Sequence, residues 1–122
     1  MALPIINFKF TNTESNESLQ DLVTQKLESI ASFIGDEPDV TIDVEFEKEA
    51  PKESGPVFRV EANVMIKGEL YRADASLESF EAAIDEVRDE LDKELSRAHD
   101  KMITQARDGA RQAKEMMQSD EQ

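Results

Sequence analysis

The sequence predicts an α+β domain with the element order β-α-β-β-β-α, built as a four-stranded sheet with both helices packed on one face. Two observations carry this prediction: apolar residues alternate with polar ones in four segments, and they recur at spacings of three and four in two others. A chain of 122 residues, 39% of them hydrophobic, can bury one thin core but not two. One sheet face should therefore meet the helices, while the opposite face, here called the open face, meets solvent.

The four alternating segments predict strands at residues 5–11, 40–48, 57–67 and 69–76. The residues expected to face the core are Ile6, Phe8, Phe10, Val40, Ile42, Val44, Phe46, Phe58, Val60, Ala62, Val64, Ile66, Tyr71, Ala73 and Ala75. The segment 47–56, EKEAPKESGP, contains two prolines and five charges and predicts an exposed loop. Lys67-Gly68-Glu69 predicts a tight turn between the last two strands.

The two helical segments are predicted at residues 17–34 and 79–105. Their apolar stripes are Leu19, Leu22, Val23, Leu27, Ile30 and Ile34 in the first helix, and Phe80, Ile84, Val87, Leu91 and Leu95 in the second. Thr13 or Ser15 is expected to cap the first helix and Gly35 to end it, and Ser79 is expected to cap the second. Beyond Gly109 we expect fraying, with 119–122 disordered. The chain thus divides into a domain at 1–105 and a partly helical or disordered tail at 106–122.

The charge of the chain is strongly negative, with 28 acidic against 14 basic residues and a formal net charge of -14. The acidic excess lies in residues 1–98, which hold ten basic and 23 acidic residues, while the remaining 24 residues hold four basic and five acidic ones. A basic partner, a salt-rich cytoplasm or a redesigned surface would each account for such a balance. The composition alone does not choose among them.

No motif in the sequence predicts catalysis. The chain has no cysteine, no P-loop, no dinucleotide fingerprint and no nucleophile elbow, and its single histidine, His99, is expected to be a bystander. We therefore expect a protein that is not an enzyme, with no cofactor, no metal and no small-molecule substrate. The N-terminus lacks the pattern of a secretory signal, and no apolar run approaches the roughly 18 residues of a membrane span. We expect a cytoplasmic protein with no membrane partner.

Three basic residues of the second helix, Lys93, Arg97 and Lys101, stand four residues apart and therefore share one helical face. We call them the basic row. One interpretation is a surface that binds phosphate groups. The other is an ordinary solvated helix face, in which Asp89, Asp92 and nearby acids balance the cations at about 0.3 to 0.5 kcal/mol a pair. The spacing alone favours the second interpretation.

Several short motifs occur in a fixed order along residues 5–101. They are Val23-Thr24-Gln25-Lys26-Leu27 and Phe33 in the first helix, Tyr71-Arg72-Ala73-Asp74-Ala75 and Glu78 before the second, and Ala82-Ala83-Ile84-Asp85 and Leu91-Asp92-Lys93-Glu94-Leu95 within it. In this order the motifs resemble the short form of the ribosome hibernation-promoting factors, a family of ribosome-associated translation inhibitors.

The resemblance implies a protein that sits on the small ribosomal subunit, in contact with rRNA and ribosomal proteins, and inhibits translation during dormancy or stress. Family members do so by occupying the channel for mRNA and tRNA, without catalysis, and bind through basic side chains along the helices. The matching candidate RNA-binding residues here are Lys26, Lys93, Arg97 and Lys101. Glu90 and Glu94 occupy positions where relatives often carry basic or neutral residues, so the row is thinner in this chain.

The acidic open face suggests a different function. Its carboxylates are expected at Asp43, Glu45, Glu47, Glu61 and Asp74. Such a face could serve a module that binds basic proteins or mimics a nucleic acid, with ribosome binding weakened or lost. The two hypotheses differ in whether the exposed face of the second helix is electropositive in the folded protein.

Overall fold

The computed structural model describes residues 3–49, 55 and 57–120. Among these, solvent exposure is described up to residue 107 and at Gly109. Its strands are β1 (Ile6–Thr11), β2 (Val40–Glu49), β3 (Val57–Ile66) and β4 (Glu69–Leu77). Its α-helices are α1 (Glu17–Leu27), α2 (Ala31–Ile34) and α3 (Phe80–Asp120), with a 3-10 turn at Glu28–Ile30 joining the first two. The predicted element order is confirmed.

The sheet has the strand order β1-β2-β3-β4. β1 pairs with β2 in parallel, with Phe8 opposite Val44. The other pairs are antiparallel, and the register places Glu61 of β3 between Glu45 of β2 and Asp74 of β4. This register sets which side chains of the open face can meet.

The core lies between one face of the sheet and the helices, as predicted. Its centre is formed by side chains that are at most 2% exposed, namely Val23, Leu27, Ile30, Ile42, Val44, Phe46, Val60, Ala62, Val64, Ala83, Ile84, Val87 and Leu91. Aromatic rings close one end, where Phe46 meets Phe10 at 4.9 Å between ring centroids and Phe80 at 5.4 Å. The helices therefore all cover the same face of the sheet, and the open face carries the polar side chains of every strand.

The start of α1 differs from the prediction. Neither Thr13 nor Ser15 is the N-cap, because Asn16 takes that position with extended backbone and its Oδ1 accepts the Leu19 N–H at 3.2 Å. Ser79 does cap the second helix as predicted, since its Oγ accepts the Ala82 N–H at 3.1 Å. Gly35 ends α2 with a φ of 58°, a conformation that glycine adopts without strain.

The predicted helix at 17–34 is not continuous. The 3-10 turn tightens the chain to about three residues a turn, and this brings Leu27 and Ile30 onto the same inward side. Residues three apart also share a face of an α-helix, so the two side chains are both buried, as the predicted apolar stripe requires.

The second helix was predicted to end at residue 105, but α3 continues through Gly109 to Asp120. The fraying beyond Gly109 stays a prediction. One glycine costs about 1 kcal/mol relative to alanine, too little to end a helix whose neighbours are good helix formers. Ser119 and Asp120, expected to be disordered, belong to α3, whereas Glu121 and Gln122 lie outside the described residues. The division of the chain at residue 105 stays a prediction.

The predicted loop at 47–56 begins later than expected, since β2 extends to Glu49. Most of the remaining loop lies outside the described residues.

Candidate nucleic-acid interface

The basic row lies on the solvent side of α3. Leu91 and Leu95, which flank Lys93 in the sequence, are 0% and 3% exposed, so they fix the inward side of the helix. Lys93, Arg97 and Lys101 are all exposed. Within the described part of the chain, no carboxylate oxygen lies within 4.0 Å of their charged nitrogens. The row thus presents three cations, each about 6 Å further along the helix axis than the last.

Lys26 lies apart from the row, between the two helices. Its Nζ is 3.1 Å from Oδ1 of Asp85, which joins α1 to α3. The lysine side chain is only 33% exposed. Of the four predicted RNA-binding residues, the structure brings three together in one row and places the fourth beside a carboxylate of the protein itself.

A second contact holds the helices in register. Ser29 Oγ donates a hydrogen bond to Asp92, with its two carboxylate oxygens at 2.9 and 3.2 Å. Further along, the ring of Phe33 meets that of His99 edge to face at 6.0 Å. His99, expected to be a bystander, thus has a packing role. Together with the Lys26 pair, these contacts join the first helical region to α3, which carries the row.

These contacts also redistribute the negative charge around the row. Asp85 pairs with Lys26 of α1, Asp92 accepts a hydrogen bond from Ser29 of the 3-10 turn, and Asp89 accepts hydrogen bonds from Arg88 at 3.0 and 3.2 Å. Glu90 is exposed and Glu94 is half-buried, so both still border the row. In the described part of the chain, neither Asp89 nor Asp92 forms an ion pair with a cation of the row.

The open face is less acidic in effect than its composition suggests. Arg59 lies among three carboxylates, with Asp74 at 2.9 Å, Glu61 at 3.2 Å and Glu47 at 3.8 Å. The hydrogen bond to Asp74 raises the pKa of the Arg59 guanidinium, and the charge of Glu61 acts in the same direction. The arginine is therefore a permanent cation that holds this cluster together.

The remaining carboxylates of the open face are also mostly paired. Arg72 Nε lies 2.7 Å from Glu61. Glu45 accepts a hydrogen bond from the Thr11 hydroxyl at 2.6 Å and has Lys9 at 4.0 Å. Of the five carboxylates predicted for this face, Asp43 alone has no hydrogen-bonding or charged partner in the described residues. This weakens the case for an acidic docking face.

The pairing of Arg59 with three carboxylates was not predicted from the sequence. Alternation places it correctly on the open face, but its partners lie on three strands, at Glu47, Glu61 and Asp74. Only the pairing register brings them together. A single arginine flanked by acids on neighbouring predicted strands is the signal that would have suggested it.

The described residues contain no group of three or more side chains suited to hold a metal ion. In the same part of the chain, no helix is long and apolar enough to cross a membrane.

The fold and the helical surface together define a small α+β domain that presents one basic row on an otherwise acidic surface. The chain belongs to the family described as sigma 54 modulation protein / S30EA ribosomal protein, whose model matches residues 6–103. This confirms the resemblance drawn from the motifs. Members of the family are non-catalytic, which agrees with the prediction that the chain is not an enzyme.

Two solved structures have the same fold. A ribosomal subunit interface protein from Coxiella burnetii is 20% identical, with a TM-score of 0.63, over 77% of this chain and 96% of that one. The N-terminal domain of Protein Y from Thermus thermophilus is 24% identical, with a TM-score of 0.61, over 75% and 96%. No curated protein sequence matches the chain. At such identities the likeness establishes the fold alone.

Proposed function

We propose that this protein binds the small ribosomal subunit in the channel for mRNA and tRNA and inhibits translation by occupancy during dormancy or stress. The observation that carries the proposal is the basic row, exposed and without carboxylate partners in the described residues, in a chain of this family. The partners are rRNA and ribosomal proteins, and the place of action is the cytoplasm. No catalytic step is involved.

The row suits contact with an RNA backbone. Lys93 and Lys101 are eight residues apart, so the three cations span about 12 Å along α3. Side chains of this kind bind phosphate oxygens without reading the bases. Such contacts position a protein on RNA, which is what inhibition by occupancy requires.

The net charge of -14 opposes RNA binding at long range. At physiological salt this repulsion is screened beyond about 8 Å, so the charges nearest the contact decide its strength. Among the carboxylates of α3, Asp85 pairs with Lys26, Asp92 accepts a hydrogen bond from Ser29, and Asp89 accepts hydrogen bonds from Arg88. The local surface is therefore more favourable to phosphate than the overall charge.

The test is cosedimentation of the purified protein with small ribosomal subunits over a series of salt concentrations. Replacing Lys93, Arg97 and Lys101 together with glutamine should weaken binding sharply. The slope of log affinity against log salt should fall by about 2 to 3, since each lost phosphate contact removes roughly 0.7 to 0.9 of a released counterion.

The matched control replaces Lys9, Lys48 and Lys67 with glutamine. These lysines are exposed elsewhere on the domain, so the change in net charge is the same. The control should keep both the affinity and the salt slope of the wild type more closely than the row variant does. Equal losses in the two variants would refute a role for the row.

The acidic module is the weaker alternative, because most carboxylates of the open face already have partners in the structure. Neutralising Glu45, Glu47 and Glu61 should leave binding to small subunits unchanged or strengthen it. If binding were instead lost only in this variant, the function would belong to the open face.

A further inference from the structure

A groove of about 210 Å³ lies at one end of the core, between α2, the turn from β3 to β4, and the part of α3 beyond Leu95. Its apolar surface comes from Phe33, Ile66, Tyr71, Leu95 and Met102. Phe33 is held there by its edge-to-face contact with His99. The groove is thus a concave surface of aromatic rings and aliphatic side chains.

Met102 is the most unusual part of this surface, because it is 66% exposed although it adjoins the groove. Ile103 beside it is 38% exposed. Exposed apolar side chains next to a concave apolar surface are typical of sites that a partner covers. Methionine suits such a role because its flexible, polarizable side chain adapts to different partners.

The rim of the groove is acidic. Glu37 lies 3.2 Å from Lys67 and also accepts the Asp39 N–H at 3.1 Å. Glu69 lines the groove, and the described residues place no cation within 4.0 Å of it. Asp36 and Asp39 are exposed close by in the chain. Because Lys67 and Glu37 neutralise each other, Glu69 leaves the rim with a net negative charge, which favours a positively charged occupant.

We propose that this groove binds a basic segment of another protein, through one aromatic or large aliphatic anchor with arginines or lysines on either side. The anchor would contact Phe33, Tyr71 and Met102, and the flanking cations would lie against Glu69 and compete with Lys67 for Glu37. Apolar anchors surrounded by charge-complementary rims are the usual source of affinity and specificity in such contacts.

The groove and the basic row lie on different sides of α3. Leu95 and Met102 are seven residues apart and lie on the same, inward side of the helix. Lys93, Arg97 and Lys101 repeat every four residues along the outward side. A molecule held on RNA by the row would keep its groove accessible. The inference goes beyond the proposed function and does not depend on it.

The test uses the full chain and a fluorescent peptide with one phenylalanine between pairs of arginines, followed by fluorescence anisotropy. A second peptide has alanine in place of phenylalanine. Met102→Lys places a cation in the groove, and Met65→Lys is the matched control, since Met65 is 39% exposed on the open face. Lysine is a good helix former, so Met102→Lys should fold, which circular dichroism checks.

We expect the phenylalanine peptide to bind at least about tenfold more tightly than the alanine peptide, as for the loss of an anchor residue. Met102→Lys should weaken its binding by a similar factor, while Met65→Lys should not. Equal binding of both peptides would mean unspecific attraction to an acidic protein and would overturn the proposal.

The proposal is also overturned if neither peptide binds, or if Met102→Lys and Met65→Lys bind the peptides alike. It is overturned as well if the protein is a dimer in sedimentation equilibrium and Met102→Lys dissociates it, because a second copy of the chain would then fill the groove. Cosedimentation of Met102→Lys with small subunits separates the two hypotheses. If Met102→Lys still sediments with small subunits but no longer binds the peptide, the groove serves another partner. If it still binds the peptide but no longer sediments, the groove proposal is refuted, and the row variant alone tests ribosome binding.

Discussion

The Nζ of Lys26 lies 3.1 Å from Oδ1 of Asp85, and this ion pair joins α1 to α3 at a distance from the basic row. A pair with side chains 33% and 51% exposed is worth at most about 1 kcal/mol. A phosphate group can therefore compete with Asp85 for the lysine. We therefore expect Lys26 to leave Asp85 for a phosphate when the protein binds RNA.

Asp85→Asn should raise the affinity for small subunits by a few fold, because it releases Lys26 and removes one negative charge from α3. The matched control is Glu86→Gln, which makes the same change in charge at the adjacent exposed position and does not contact Lys26. Cosedimentation at fixed salt compares them. If the two variants gained equally, only the overall charge would matter and Lys26 would have no part in binding.

Leu91→Ala should lower the free energy of unfolding by about 2 to 5 kcal/mol, because it removes a large side chain from the centre of the contact between α3 and the sheet. Leu91 is 0% exposed. Urea unfolding followed by circular dichroism measures the loss. Lys93→Ala, two residues away on the solvent side, should change stability by less than about 0.5 kcal/mol. A loss below about 1 kcal/mol for Leu91→Ala would contradict the packing described.

Arg59→Met should destabilise the fold by about 1 to 3 kcal/mol, since it leaves three carboxylates of the open face without their shared cation. The arginine side chain is only 18% exposed. Arg72→Met is the matched control, because Arg72 is 55% exposed and pairs with Glu61 alone, so its loss should cost less than about 1 kcal/mol. Thermal or urea unfolding of both variants decides, and a larger loss for Arg72→Met would show that Arg59 does not organise the cluster.

Glu37 should make stability depend on pH in the acid range. The Asp39 N–H, followed by Lys67, lowers the pKa of this carboxyl below its ordinary value of 4.5. A lowered pKa in the folded state stabilises the fold above the ordinary pKa, and that contribution is lost as the pH falls through the folded value. Glu37→Gln should therefore be less stable than the wild type at neutral pH, and the difference should shrink below about pH 4.5.

Urea midpoints measured between pH 3 and pH 7 test this, with Glu78→Gln, at an exposed carboxyl without described partners, as the control. A difference between Glu37→Gln and the wild type that stayed constant over this range would argue against the hydrogen bond.

Much of the fold follows from local patterns in the sequence. The strand ends agree with the prediction to within one residue, as β2 ending at Glu49 and β3 ending at Ile66 illustrate. The inward side of each element was also predicted, because the periods of helix and strand are properties of neighbouring residues. The start of α1 was not, since Thr13, Ser15 and Asn16 are all good caps and only the packed helix selects one.

The sequence by itself determined the element order, the inward faces and the grouping of Lys93, Arg97 and Lys101, because each depends on spacings within one element. The tertiary structure alone decided that Lys26 meets Asp85 and that Arg59 gathers carboxylates from three strands. These contacts join residues far apart in the chain, and their geometry depends on strand register and on how the helices pack. Local spacing carries no information about either, so the sequence predicted the charges but not how they are paired.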